Sequence, residues 1–284
     1  MSKKTVMVTG ATAGIGKVTA REMARQDIQL VIIGRSEAKC QSTVEEIRRF
    51  TGNEQVDYLL ADLSSLTQTR AAAAQFRERY DRLNVLINNV GAMFLGYGET
   101  DEGIERTFAL NHLSGYFLLT MELLDMLKAS APARIVSVSS GAHSQGSLDF
   151  DNLQMRGNYS AFAQYGNSKL MNILFTNELA RRLEGTGVTA NALHPGFVAS
   201  NFGITNNPKW WVRPLIKFAH LFALSEDEGA ETSIYIATSP EVEGVTGRYF
   251  DKCREKTPAA AALDAAGQRR LWEASDEMVM QIAD

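Results

Sequence analysis

Tyr165 and Lys169 stand four residues apart in Tyr165-Gly166-Asn167-Ser168-Lys169, a stretch suited to the start of a helix. On a helix that spacing puts both side chains on one face and brings an ammonium toward a phenol. A nearby positive charge favours the phenolate. It is therefore expected to lower the tyrosine pKa from its reference value of about 10 and to allow proton exchange near neutral pH. Surface helices carry Tyr-x-x-x-Lys by chance, so the pair gains meaning only from the rest of the chain.

A second cluster lies at the other end of the sequence. Gly10, Ala11, Thr12, Ala13, Gly14, Ile15 and Gly16 follow an apolar run at 5–9 and precede a helical composition at 17–25. A chain turning there from strand to helix must bend sharply, bring its backbone close to a pyrophosphate and expose amides at a positive helix end. Side chains obstruct all three. A glycine-rich turn without a ligand is the plainer reading, but the order strand, turn, helix favours a dinucleotide. The next apolar run, 29–33, ends at Gly34-Arg35-Ser36. This is about 20 residues past the turn, where a carboxylate would hold the 2'-hydroxyl of NAD. Arg35 stands there instead, and a guanidinium pairs with the 2'-phosphate of NADP. NADP(H) is therefore the expected cofactor and NAD(H) the less favoured one. A solvated Arg35 is the alternative, and nearby Glu37 counts against the phosphate. Asp62 and Leu63, after the run at 56–60, fall at the edge of the expected adenine pocket.

The elements that must position these groups are legible as apolar runs at 5–9, 29–33, 56–60, 85–88, 134–138 and 188–193, each followed by a helix-length segment. Near-continuous Val, Ile and Leu in the strands, alternating with helices, argues for a parallel sheet covered on both sides. Residues 247–251 add a seventh strand. The expected fold is α/β: a single-domain Rossmann fold over 1–284, with a doubly wound, mostly parallel seven-stranded sheet and helices on both faces. The last helix is expected to begin near Thr257-Pro258, with Leu271, Trp272, Ser275, Met278, Val279 and Ile282 docking on the body.

Composition is that of an ordinary soluble globular chain. Of 284 residues, 45% are hydrophobic and 22% charged, and the net charge of -4 lacks the basic excess that nucleic acid demands. Cys40 and Cys253 form no disulfide scaffold, which suits a cytoplasmic location. The basic start, Met1-Ser2-Lys3-Lys4, is not followed by a full signal-peptide apolar region. The apolar stretch 115–127 is interrupted by Glu122 and Asp125 and is too short for a spanning helix. His112, His143, His194 and His220 show no paired-ligand spacing, so no metal is expected. His143 reads as a site-rim or structural residue.

Thr9-Gly10-x-x-x-Gly14-x-Gly16, Asn88-Asn89-Val90-Gly91, Val138-Ser139-Ser140, Tyr165-x-x-x-Lys169 and Pro195-Gly196-x-Val198 occur in the order of the short-chain dehydrogenase/reductases, which the chain resembles throughout. Residues 111–120 and 173–183, Tyr249-Phe250 and Leu271-Trp272-Glu273 resemble the branch containing retinol dehydrogenases and WW-domain oxidoreductases. The resemblance implies that Tyr165 is the general acid in carbonyl reduction and that Lys169 tunes it and holds the nicotinamide ribose. It implies that Ser140 polarises the carbonyl, with Ser139 as second candidate, and that Asn111 supports a water-linked proton path to Lys169. A helix-interior structural role is the alternative for Asn111. It places Asn89, Val90 and Gly91 beside the adenosine ribose, and Pro195, Gly196 and Val198 near the nicotinamide amide. Val90 stands where alanine is usual. A homodimer or homotetramer is also implied.

Residues 144–163 are expected to fold over the site as an insertion, and 197–224 to act as a lid. Phe202, Trp210, Trp211, Leu215, Phe218 and Phe222 lie there with Lys209, Arg213 and Lys217. An apolar lid suits a hydrophobic aldehyde, ketone or alcohol. Core packing with a basic face that touches a membrane is the competing reading. Rivals to the enzyme are an NADP-binding sensor with little turnover, a sugar-nucleotide epimerase and a protochlorophyllide reductase. The last two are disfavoured by the short C-terminal part and by cysteines remote from the catalytic motifs.

Overall fold

The computed structural model describes residues 3–196 and 224–282. Its strands are β1 (Lys4–Thr9), β2 (Ile28–Gly34), β3 (Val56–Leu60), β4 (Val85–Asn88), β5 (Ala133–Val138), β6 (Val188–His194), β7 (Tyr249–Asp251) and β8 (Arg254–Glu255). They form one sheet in the order β3-β2-β1-β4-β5-β6-β7-β8, parallel throughout except for the last pair. Side chains alternate across it: Met7 enters the core on one face, and Val6 and Val8 enter the core on the other. Helices α1 (Gly14–Met23), α2 (Glu37–Thr51) and α3 (Leu66–Arg79) make the early crossovers.

The described sheet has eight strands where the apolar runs predict seven. β8 returns antiparallel to β7, pairing Asp251 with Arg254 and Phe250 with Glu255. Its two residues are exposed and lack the apolar alternation that marks a strand. The turn residues Lys252 and Cys253 have φ values of 51° and 58°, the left-handed pair of a tight hairpin. Glycine and asparagine, which usually advertise such a turn, are absent from it.

After β4 the chain enters a short helix α4 (Arg106–Phe108), a π-helical segment (Ala109–Leu118) and helix α5 (Leu119–Ala129). All ten residues of the π segment are buried. The start of α4, which leads into it, is capped by the buried Glu105 carboxylate, which accepts from Thr107 N and Phe108 N, both at 2.8 Å, and from Gln164 Nε2 at 3.0 Å. Gly115 is required inside the wide turn, because a Cβ there would collide with the Leu110 carbonyl oxygen.

Helix α6 (Ala161–Arg182) runs between β5 and β6, and α7 (Glu226–Thr238) follows β6. A capping box between Ser225 and Glu228 fixes the start of α7. The last helix, α8 (Ala265–Gln281), begins well after the Thr257-Pro258 start that the sequence suggests. Ala260–Leu263 form a separate 3-10 turn, and the Asp264 carboxylate caps α8 by accepting from Ala266 N at 3.0 Å. Its expected stripe is correct: Leu271, Trp272, Ser275 and Val279 are buried, with Met278 and Ile282 packed against the same core. Trp272 stacks on Phe175 with centroids 5.9 Å apart. Among the described residues no helix is long and apolar enough to cross a membrane.

Candidate active site

The strand order reverses between β1 and β4, so a crevice opens at their carboxyl ends. Gly10 has φ 64°, and a Cβ there would lie 2.9 Å from Val90 Cα on the neighbouring strand's loop. Only glycine lets these two backbones approach. Asn89 then locks the turn: its Nδ2 donates to Thr9 O at 2.8 Å, and its backbone N–H donates to Thr9 Oγ1 at 2.9 Å. A Cβ on Gly16 would collide with that same amide. The Asn89 side chain thus holds the glycine turn itself.

Ala13 occupies the N-cap of α1 without a side-chain cap, and no carboxylate lies in the first turn, which Ile15 and Gly16 share. Those amides are placed to hold a phosphate group. At the end of β2, Thr12 packs so closely that a Cβ on Gly34 would lie 2.9 Å from its methyl carbon. Exposed Arg35 and the α2 N-cap Ser36 follow directly beside the glycine turn. Asp62 accepts from the Ser64 backbone at 2.9 Å, and Leu63 is buried beneath it. The glycine positions and the uncapped helix start together fit a nicotinamide dinucleotide.

Across the crevice, α6 presents Tyr165 and Lys169 one turn apart. Lys169 is buried, its ammonium lying 5.7 Å from the Tyr165 ring centroid and 5.6 Å from that of Tyr116. It donates to the Val138 carbonyl at 3.0 Å, which Tyr116 also reaches at 3.0 Å. Gly91 brings the loop after β4 alongside: a Cβ there would stand 3.4 Å from Lys169 Nζ and 3.5 Å from Asn111 Oδ1.

The expected lowering of the tyrosine pKa is not what the site produces. Burial pushes the Tyr165 phenol up to about 12, with a hydrogen bond to Ser140 pulling the other way. Burial also pushes Lys169 down to about 7. The ammonium faces the ring and spends a hydrogen on a carbonyl, so desolvation outweighs its pull on the phenol.

The two serine candidates separate by geometry. Ser139 is buried and donates to Lys169 O at 2.7 Å, fastening β5 to α6. Ser140 hydrogen-bonds Tyr165 and accepts from Ala142 N at 3.2 Å, as the cap of a one-turn 3-10 helix (Gly141–Gln145). Asn111 sits in the π segment with its amide divided among Ala92 N and Ala92 O, both at 2.9 Å, and Ser168 Oγ at 3.0 Å. It is buried, and it borders the lysine through Gly91. Sequence reasoning passes over Tyr116 and the Val138 carbonyl, for which one-dimensional spacing carries no signal.

The insertion is pinned beside the site. Tyr159 donates to Phe94 O at 2.6 Å, Gln164 Nε2 donates to Leu153 O at 3.0 Å, and the Gln154 side chain accepts from Glu105 N at 2.9 Å. Pro195 and Gly196 leave the end of β6, where a Cβ on Gly196 would collide with Leu224. Val198 and the expected lid, Leu224 apart, lie outside the described residues.

The family profile described as short chain dehydrogenase matches residues 4–210. Human retinol dehydrogenase 14 is 42% identical over 293 residues, covering 98% of this chain and 87% of that protein. Mouse retinol dehydrogenase 12 is 44% identical over 276 residues, covering 97% and 86%. Among solved structures, an uncharacterized protein from Mycobacterium paratuberculosis superposes with a TM-score of 0.77 at 30% identity, covering 98% of this chain and 94% of that one. A variant of actinorhodin polyketide ketoreductase with NADPH gives 0.67 at 27% identity, covering 87% and 95%. The chain belongs to the short-chain dehydrogenase/reductase family, in its retinol dehydrogenase-like part, and is an oxidoreductase acting on CH-OH groups with a nicotinamide dinucleotide.

Proposed function

We propose that this chain is an NADP(H)-dependent oxidoreductase for a hydrophobic aldehyde or ketone and the matching alcohol, with Tyr165 as its general acid/base. The observation that carries the proposal is the convergence of Tyr165, Ser140 and Lys169 across a crevice from an uncapped, glycine-lined helix start. When bound, the reduced nicotinamide supplies a hydride to the carbonyl carbon. Ala142 N already donates to Ser140 Oγ, so the serine hydroxyl can turn its own hydrogen to the carbonyl oxygen. Tyr165 then delivers its proton to the oxygen as charge develops there. Lys169, beside Gly91, is placed to hold the nicotinamide ribose.

An apolar substrate is supported by the aromatic composition of 197–224 and by relatives that carry retinol in their names. The test is consumption of NADPH and NADH with a panel of apolar aldehydes and ketones, retinal among them. Tight NADPH binding without turnover on any of them would favour the sensor instead.

A phenol held near 12 keeps its proton at neutral pH, which serves reduction and hinders oxidation. The phenol itself is therefore expected to add no pH dependence to carbonyl reduction between pH 6 and 8. Alcohol oxidation, which needs the phenolate, should rise by up to about tenfold per pH unit from pH 7 to 9. Initial rates in both directions check this, and parallel profiles would contradict it.

Arg35 should set the cofactor choice. A charge-assisted bond to a 2'-phosphate is worth about 1.5–3 kcal/mol, with solvent screening favouring the lower part for an exposed side chain. Arg35→Asp is expected to shift the NADPH/NADH ratio of kcat/KM toward NADH by about ten- to a hundredfold. An unchanged ratio would make Arg35 a solvated loop residue.

A further inference from the structure

The peptide group between Ser140 and Gly141 is gripped at both ends by imidazoles. Its carbonyl accepts from His143 Nδ1 at 2.7 Å, and its N–H donates to His194 Nδ1 at 3.0 Å. The two rings come from different elements, His143 from the 3-10 turn and His194 from the last position of β6. His143 Nε2 accepts from Ala259 N at 3.1 Å, so its ring proton sits on Nδ1. His194 accepts at Nδ1 and, when neutral, carries its proton on Nε2. The two histidines therefore hold opposite tautomers. Gly141 lets the His194 ring lie close, since a Cβ there would stand 3.3 Å from Nε2. On the other side Ser139 is already fixed, its N–H donating to Leu193 O at 2.8 Å.

We infer that His194 is a positioning residue for Ser140, with His143 its counterpart on the same peptide group, and that the turn aims Ser140 Oγ at Tyr165 only while His194 Nδ1 is unprotonated. The inference rests on the proposed roles of Ser140 and Tyr165. An imidazolium at position 194 would set its own N–H against that of Gly141 and release the peptide.

The charges around these rings fix the direction. Burial holds His194 below its ordinary pKa; Asp251, in register across β6 and β7, opposes this, while Lys256 and His143 reinforce it. Burial and Lys256 also hold His143 down, against the Ser140 carbonyl, and the Tyr249 ring lies 5.0 Å from it. From α6, Tyr165 and Lys169 approach the turn through Ser140 and Val138.

The test is steady-state kinetics of carbonyl reduction from pH 5 to 8 for wild type, His194→Leu and His194→Asn. Asn Oδ1 can replace Nδ1 as the acceptor but does not titrate. Misplacing a reacting group can cost about a hundredfold in rate. His194→Leu is expected to lose tenfold or more in kcat at pH 7.5, with the KM for NADPH unchanged. Wild type is expected to show an acid limb, and His194→Asn should restore kcat to within about threefold and flatten that limb. Imidazole nitrogen NMR of wild type should find His143 protonated on Nδ1 and His194 on Nε2. Wild-type kcat in His194→Leu, no rescue by His194→Asn or an unaltered acid limb would overturn the inference alone. If His194→Leu fails to fold, the wild-type and His194→Asn profiles still decide. NADPH binding with no wild-type turnover on any carbonyl would overturn the proposed function, and this inference with it.

Discussion

Tyr165→Phe is expected to lower carbonyl reduction by about a thousandfold, while NADPH still binds with near-normal affinity. Proton transfer by a positioned side chain contributes about 10²–10⁴ in rate, and phenylalanine removes only the hydroxyl that carries the proton. The ring remains, so packing beside Lys169 is preserved, with the ammonium 5.7 Å from the ring centre. Cofactor contacts at the glycine turn lie on separate elements and should not respond. Rates measured under NADPH saturation, with affinity followed by cofactor fluorescence, separate the two effects. Residual turnover within tenfold of wild type would remove Tyr165 from the proton-transfer step. Loss of binding in parallel would point to a collapsed pocket instead.

The second large effect concerns stability. His112 is fully buried in the π segment, between Phe108, Phe117 and Phe175, and hydrogen-bonds Ser275 Oγ at 2.9 Å. Ser275 in turn donates to Leu271 O at 2.8 Å, so His112 must be the donor through Nε2–H. Burial drives its pKa down to about 3. Between pH 6.5 and that value the unfolded chain binds a proton that the folded chain refuses. Stability present at neutral pH is therefore lost as pH falls, by about 1.4 kcal/mol per pH unit from this ring, or roughly 3 kcal/mol at pH 4. His143 and His194, also held below their ordinary value, add slope of the same sign. His112→Gln keeps an Nε2 donor for Ser275 but cannot titrate. Urea unfolding at pH 7, 6, 5 and 4 should show a shallower acid slope in His112→Gln by about one proton. Equal slopes would mean that His112 is reached by water before the fold opens.

The sequence exposes this fold so readily because a buried parallel strand needs an unbroken apolar run. The runs at 56–60 and 85–88 coincide with β3 and β4, and the other five main strands differ by no more than two residues at either end. What it hides has a common cause. β8 depends on left-handed Lys252 and Cys253, and the delayed start of α8 depends on Asp264 outcompeting Thr257-Pro258 as the cap. Both are decided by backbone conformation that composition does not display. At the site, Tyr165, Lys169 and the glycines are legible because their spacing is local. The direction of the tyrosine shift is not, because burial depends on the whole fold and an i, i+4 pattern shows only the charge. His194 and Tyr116 meet backbone groups remote in sequence, Gly141 N–H and Val138 O, which no motif records.

The hairpin that ends the sheet also bears on how these molecules meet one another. β8 is two residues long, and it turns outward exposed Arg254 and Glu255, the latter paired with Arg248 at 3.4 Å. A neighbouring chain seeking to continue the sheet would find too few free peptide groups there and would have to strip water from charged side chains. Edge-to-edge polymerisation, the common hazard of an open sheet, thus has no template on the β8 side.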